Sequence, residues 1–472
     1  MTLPEASHPA LRPTPYLDRA LDRAAGARPI PGNRVNVLHD GPVVYPVMLD
    51  IIARAERWIH FENYIIRADE TGWRFAEALA SRAREGVAVR VLYDWLGSIS
   101  TPRSFWKYLR DAGVEVRCFN PPKLLALFSN ASRDHRKVVV GDGCRAVIGG
   151  LCIGDEWSGR PERGVMPWRD TAVEIVGPAA AALDQAFASV WQLAGPPLAA
   201  AELASEVPEA GEAEVRVLIG EPGRERTYRV LEYLSAGTIE RLWITDAYLV
   251  PPPRLFQALL DAARDGADIR LLVPGSSDVP FIRNLTRIGY RDLLRAGIRI
   301  FEWDGPMLHA KTAVAESCWS RIGTSNLNAS SLLGNYEIDV LIEDPVFAQS
   351  MEAQFRQDLE QSLEVERRQF RAPRRLERVI PTGLRRHPAG STLPRPRRQR
   401  GRREFRGRAA VAMRTLVNGA RRSVYGPISL GLIVLGLLFL GIPTITAYAF
   451  GALCVWFAVA AWIEAFHRRR EG

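Results

Sequence analysis

The chain has 472 residues and a mass of 52.6 kDa, enough for two or three domains. Apolar residues make up 47% and charged residues 24%, which excludes a globally disordered or collagen-like chain. The net charge is +9, but residues 367–422 carry 19 Arg against Glu377 and Glu404, so residues 1–366 are net −9 and the basic charge belongs to a tail. Five scattered cysteines exclude a disulfide scaffold, and the lack of any C-x-x-C pair argues against structural zinc. A reducing, cytosolic setting fits the soluble part.

Residues 1–34 are rich in Pro and Arg, carry no apolar run of signal-peptide type, and read as an N-terminal extension. A first α/β domain is expected over 35–195. Its strands include 58–66 and 87–93, the second entered from a helix that stops at Ala83-Arg84-Glu85-Gly86. Leu109-Arg110-Asp111-Ala112-Gly113 is a second such stop, before 114–116. His135-Arg136-Lys137, Asp142 and Gly149-Gly150-Leu151-Cys152 follow, then Trp168-Arg169-Asp170. Residues 196–214, rich in Ala, Glu and Pro, read as a linker.

The same text then returns over 215–366. A strand at 242–249 opens this half. Ala263-Arg264-Asp265-Gly266 leads into 268–273, and Leu293-Leu294-Arg295-Ala296-Gly297 into 298–300. His309, Lys311, Glu316 and Gly323-Thr324-Ser325-Asn326 match their first-half counterparts at one offset of 174 residues. Asn335-Tyr336-Glu337 matches Trp168-Arg169-Asp170 at a different spacing. Strand and helix alternating twice imply α/β units around a largely buried sheet.

Beyond the body, residues 367–422 read as an Arg-rich linker and 423–466 as a transmembrane hairpin. Residues 423–463 hold no formal charge. At 1.5 Å per residue they make roughly 60 Å of helix, about twice the ~30 Å hydrocarbon core. Gly441-Ile442-Pro443-Thr444 divides the run into helices near 424–441 and 445–463. Basic residues flank both ends, so an even number of crossings and a cytoplasmic body are expected, with the chain in the cell membrane. The Arg-rich segment suits an anionic membrane surface or a nucleic-acid arm. Its place beside the membrane run favours lipid, and only Phe370 and Phe405 could stack on bases.

In a strand, His and Lys at i and i+2 point to one face. Two such faces brought together place two His and two Lys around one pocket. That set suits a phosphate: the ammonium groups neutralise the anion, one imidazole attacks, and the other protonates the leaving oxygen. Ser325 and Asn326 could supply donors to phosphoryl oxygens. Glu62, with Asp246 as its weaker counterpart, is either a pocket acid or a strand-end salt-bridge partner. No carboxylate cage for a metal and no cofactor motif is evident.

The doubled His-x-Lys-x4-acid pattern resembles the two HKD motifs of the phospholipase D superfamily. The surrounding segments, such as Phe61-Glu62-Asn63-Tyr64-Ile65, Pro274-Gly275-Ser276-Ser277-Asp278 and Asn335-Tyr336-Glu337-Ile338-Asp339, resemble its bacterial cardiolipin synthase branch. The resemblance covers about residues 36–365. It implies two pseudo-repeated phospholipase D-like α/β domains packed face to face, with His135, Lys137, Asp142, His309, Lys311 and Glu316 as catalytic residues. It implies a metal-independent phosphatidyl transfer through a phosphohistidine, with Asp170 and Glu337 orienting the imidazoles. It favours His135 as nucleophile, although the near-symmetric repeat leaves that choice open. The chain departs from the family pattern at Leu151, Cys152 and Glu316.

Four activities fit such a site: a membrane phosphatidyltransferase, a phospholipase D with water as acceptor, a nuclease guided by the Arg tail, or a silent lipid-binding scaffold. The intact His and Lys pairs argue against the scaffold. The acidic body argues against the nuclease and against nucleic acid as partner. The cardiolipin synthase-like segments favour the transferase, with phospholipids as substrates.

Overall fold

Residues 15–122, 132–204 and 206–366 are described by a computed structural model. The first half runs α1 (Pro15–Ala25), β1 (Ile30–His39), α2 (Asp40–Arg54), β2 (Trp58–Asn63), α3 (Glu70–Arg84), β3 (Ala88–Asp94), α4 (Arg103–Asp111), β4 (Glu115–Phe119), β5 (Lys137–Gly141), β6 (Arg145–Gly149), α5 (Asp155–Ser158), β7 (Thr171–Val176) and α6 (Pro178–Trp191). The second runs β8 (Ala213–Gly220), α7 (Arg226–Gly237), β9 (Arg241–Asp246), α8 (Pro253–Arg264), β10 (Asp268–Pro274), α9 (Pro280–Ala296), β11 (Arg299–Trp303), β12 (Lys311–Ala315), β13 (Trp319–Gly323), β14 (Glu337–Glu343), α10 (Pro345–Glu360) and β15 (Ser362–Glu364).

The repeat in the text becomes a repeat in the sheet. β4-β3-β2-β5-β6-β7-β1 in one half mirrors β11-β10-β9-β12-β13-β14-β8 in the other. In each half the first three strands of this order are parallel and the rest antiparallel. The parallel strands need crossover helices, and the stops at Gly86 and Gly266 turn those helices back. Both glycines sit at φ near +100°, a conformation that closes a helix and that a side chain would strain.

The halves meet in two ways. β1 and β8 pair at Ile30–Val215 and Asn33–Ala213, which joins all strands into one 15-stranded sheet. The face-to-face expectation omits this edge; pairing it removes two rows of open N–H and C=O groups. The halves also pack face to face. β13 lies against β6 and β7, and Val138, Val140, Ile148 and Val173 share one core with Val314, Ile322 and Val340. Strands β2, β5, β12 and β13 are buried throughout, as expected of strands covered on both faces.

Residues 15–34, expected as part of an extension, are built into the body. α1 buries Leu21, Ala24 and Ala25 in the second-half core, and Asp22 pairs with buried Arg216 at 2.6 Å. The Arg-rich linker and the hairpin lie outside the described residues. Among the described residues no helix is long and apolar enough to cross a membrane.

Candidate active site

Each motif His sits two residues before its Lys, at the mouth of a strand. Backbone from the opposite half pins each one. His135 N donates to Tyr336 O at 2.9 Å and Tyr336 N to Arg133 O at 2.9 Å; His309 N donates to Arg169 O at 2.7 Å and Arg169 N to Met307 O at 3.0 Å. These two crossed bridges bring the acids of one half to the imidazoles of the other. His135 Nδ1 lies 3.0 Å from Glu337 Oε2, and His309 Nδ1 lies 2.8 Å from Asp170 Oδ2.

Both carboxylates are buried and well held. Thr324 donates to Glu337 at 2.6 Å, and the Ser331 hydroxyl donates to its other oxygen. Trp157 Nε1 and Thr171 N donate to Asp170 at 3.1 and 2.8 Å. Burial opposes ionisation of Asp170, but His309 and Lys311 outweigh it and hold the carboxyl below its usual range. Glu337 is likewise held low, against its burial, by His135 and Lys137. Burial, then Lys311, pushes His309 down to about 4; burial also lowers His135. An ionised carboxylate only accepts, so each neutral imidazole carries its hydrogen on Nδ1. That leaves each Nε2 lone pair for chemistry.

Lys137 Nζ donates to His135 O at 2.5 Å, and Lys311 Nζ donates to His309 O. Burial and the neighbouring Lys137 lower Lys311 to about 8. The Tyr64 ring packs against His135, centroids 4.9 Å apart, and the Tyr248 ring against His309 at 6.1 Å. A cavity of about 400 Å³ opens over both imidazoles and is also lined by Trp168, Cys152 and Asn326. The arrangement is nearly two-fold symmetric about the two imidazoles; Lys137 and Lys311 are buried and are not among the residues that line the cavity.

A family model described as "Cardiolipin synthase, PLD-like domain" matches residues 48–191 and 230–359. The chain belongs to this family. Over 364 residues it is 33% identical to cardiolipin synthase A of Pseudomonas fluorescens (strain SBW25), covering 76% of each chain. Over 349 residues it is 32% identical to cardiolipin synthase 2 of Bacillus anthracis, covering 73% of this chain and 68% of that one. Its fold resembles the crystal structure of phosphatidylserine synthase from Haemophilus influenzae Rd KW20 with a TM-score of 0.59 and 16% identity. That likeness covers 74% of this chain and 92% of the other, and at this identity it concerns fold alone.

The cardiolipin synthase-like motif is not all in the pocket. Asp142 and Glu316, expected as catalytic, lie in the β5–β6 and β12–β13 hairpin turns, each at φ 53°. Asp142 accepts from the backbone N–H groups of Glu56, Arg57 and Trp58 at 2.8–2.9 Å. Glu316 accepts from those of Ile239, Glu240 and Arg241 at 2.9–3.1 Å. They anchor the starts of β2 and β9. The turns point away from the pocket because they lie at the far ends of β5 and β12 from the imidazoles.

Three other residues need relocation. Ser325 does not line the pocket; its hydroxyl donates to Asp339 and its carbonyl accepts from Arg321. Asn326 does line it, with a buried Oδ1 that has no partner. Glu62 is buried opposite Val138, on the other face from Lys137, with its carboxyl against that of Asp134. Burial and neighbouring Asp134 raise its pKa well above the usual range. It is thus neither a pocket acid nor an ionised salt-bridge partner. Asp246 is not its counterpart: it pairs across from Lys311, as Asn63 does from Lys137. Asp246 instead accepts from Tyr248 N and Leu327 N, both at 2.9 Å, and shapes the turn that presents Tyr248.

Tyr64, Tyr248, Trp157 and Trp168 are the site residues that motif reading passes over. Their signal is an aromatic shortly after β2 and β9 in both repeats, and a Trp two residues before Asp170. Cys152 occupies the place of Asn326, and burial keeps its thiol protonated. Among the described residues no group of three or more His, Cys, Asp or Glu side chains could hold a metal ion.

Proposed function

We propose that the protein is a phosphatidyltransferase of the cardiolipin synthase type, moving a phosphatidyl group to an alcohol or phospholipid acceptor through a phosphohistidine. The observation that carries this reading is the crossed pair His135–Glu337 and His309–Asp170 over one pocket. His135 Nε2 attacks phosphorus, and the bond to the departing alcohol breaks. That oxygen takes a proton from His309 Nε2. In the second step the acceptor hydroxyl gives a proton to His309, attacks phosphorus, and the P–N bond breaks. His309 must be protonated for the first step. Burial and the lysines disfavour that before substrate binds; a bound phosphodiester anion offsets them, so the proton is taken up with the substrate.

The substrate is a lipid, which fixes where the reaction happens. Drawing about 30 methylenes out of a bilayer at ~0.8 kcal/mol each costs on the order of 24 kcal/mol. The head group must therefore enter the pocket while the acyl chains stay in the membrane. The hairpin at 423–466 and the Arg-rich segment at 367–422 hold the body at the cytoplasmic face of an anionic cell membrane in this reading.

Lipid mass spectrometry after overexpression tests it. Wild type should accumulate a phospholipid carrying two phosphatidyl groups on one acceptor; the His135→Ala variant should not. Phosphatidic acid accumulating instead would identify water as the acceptor. An unchanged lipid profile would refute the transferase reading.

A further inference from the structure

Three loops from different parts of the chain adjoin residues that line the pocket. The first, 95–102, follows β3. Ser98 Oγ donates to Tyr64 O at 3.1 Å, and Arg67 Nη1 donates to Ser100 Oγ at 2.9 Å; Tyr64 and Arg67 both line the pocket. The second, 159–167, leads directly into pocket residue Trp168, whose N donates to Glu156 O at 2.9 Å. The third, 275–279, follows β10 and reaches the pocket through Asp278, which accepts from Tyr248 Oη at 2.7 Å, and Val279. β3 and β10 are equivalent strands of the two halves, so their loops flank the mouth from both sides. Ligand sites gather at such carboxyl ends of parallel strands.

These loops carry apolar side chains that no described residue covers. Twelve large apolar residues are exposed among the described residues. Five of them, Leu96, Ile99, Val165, Met166 and Val279, are on these three loops, at 37–60% exposure. The others are dispersed over seven further elements or connections. Water-facing apolar groups grouped beside a pocket mark a binding surface. The charges on these loops are mixed: Arg160 and Arg163 against Glu162 and Asp278. Burial of the apolar tips, not net charge, is what this surface offers.

We infer that the pocket rim, with Ile99 and Met166 at its most exposed points, inserts into the head-group layer of a lipid bilayer and opens the pocket directly onto the membrane. The inference rests on the lipid-substrate reading. A flat bilayer can touch loops on both sides of the mouth at once, and the acyl chains of a bound lipid then never leave it. This contact rests on apolar burial, not on net charge. It should survive salt that screens exposed charges beyond about 3 Å at 1 M.

Two measurements on the full chain test it. In the first, Ile99→Asp and Met166→Asp are assayed on long-chain phosphatidylglycerol vesicles and on a dihexanoyl analogue kept monomeric. Vesicle turnover should drop at least tenfold, with monomer turnover within twofold of wild type. Equal effects on both substrates would overturn the inference. In the second, an environment-sensitive fluorophore is placed through Ile99→Cys, Met166→Cys and, on α10, Val346→Cys, with the labelled unsubstituted chain as background. Vesicles of mixed zwitterionic and anionic lipid in 1 M salt should blue-shift the two rim labels and not the α10 label. No rim shift, or the same shift at Val346→Cys, would overturn it. The labels need no turnover, so an inactive wild type would sink the transferase reading while the rim is still decided.

Discussion

His309 Nδ1 lies 2.8 Å from Asp170 Oδ2, and the two residues come from opposite halves of the chain. His135 and Glu337 repeat the relationship in reverse at 3.0 Å. Neither half holds its own imidazole. The duplication therefore builds a site that exists only when both halves are folded and docked, and the β1–β8 pairing and shared core fix that docking.

The crossed carboxylates should matter for chemistry more than for binding. In Asp170→Asn or Glu337→Gln the amide can donate to Nδ1 and favour the other tautomer, with the hydrogen on Nε2. The expected loss in kcat is on the order of 10²–10⁴-fold with KM little changed. Steady-state kinetics on wild type and both variants check this. A fall in KM-dependent terms alone would assign these carboxylates to substrate binding.

Asp142 and Glu316 should behave in the opposite way. Each ties a hairpin turn to three backbone N–H groups at the start of a neighbouring strand. Removing a charged acceptor of this kind costs roughly 1–3 kcal/mol. Asp142→Ala and Glu316→Ala should lower the thermal midpoint while kcat at a permissive temperature stays within a few fold of wild type. Full loss of turnover in a variant that remains folded would place these acids in the chemistry.

The repeat and the four helix stops were legible in the sequence because one backbone is imposed twice and the same residues answer it. The crossed geometry was not, since no local pattern says which imidazole an acid meets 139 or 202 residues away. Matching Glu62 with Asp246 failed for a simpler reason. The strand register equates Asp246 with Asn63, and a slip of one residue turns a side chain to the opposite face. The Asp of the motif reads as catalytic because it follows the Lys closely. A five-residue strand nonetheless carries it to the far edge of the sheet. Tyr64 and Tyr248 were hidden because one extra residue separates Tyr248 from its strand.

Turnover should carry an alkaline limit set by Lys311. Burial and Lys137 bring it from 10.5 to about 8. A lysine is cationic below its pKa, so the Lys311 charge beside the imidazoles is present at pH 7 and is lost as pH rises through about 8. The kcat/KM profile reports the free enzyme and should fall there. Lys311→Arg keeps the charge to far higher pH, so in a folded variant the alkaline fall should vanish even if the rate is lower. A limb that stays near pH 8 in this variant would assign it to another group.

The last prediction separates the two imidazoles. Transfer between two alcohols at one phosphorus proceeds most simply by double displacement, with a covalent phosphatidyl-enzyme between the steps. One imidazole attacks; the other gives a proton to the departing oxygen and later takes one from the acceptor. The two are nearly equivalent by position, each with a carboxylate on Nδ1 and a tyrosine ring at its side. Family resemblance favours attack by His135. A donor with a good leaving group needs no proton for departure, so His309→Ala should still be labelled by an activated phosphodiester. Its adduct should persist, because no base activates the acceptor. His135→Ala should never be labelled. Acid-quenched intact-protein mass spectrometry reads both variants. A stable adduct on His309 in the His135→Ala variant would exchange the two roles, and labelling of neither variant would remove the covalent step from the mechanism.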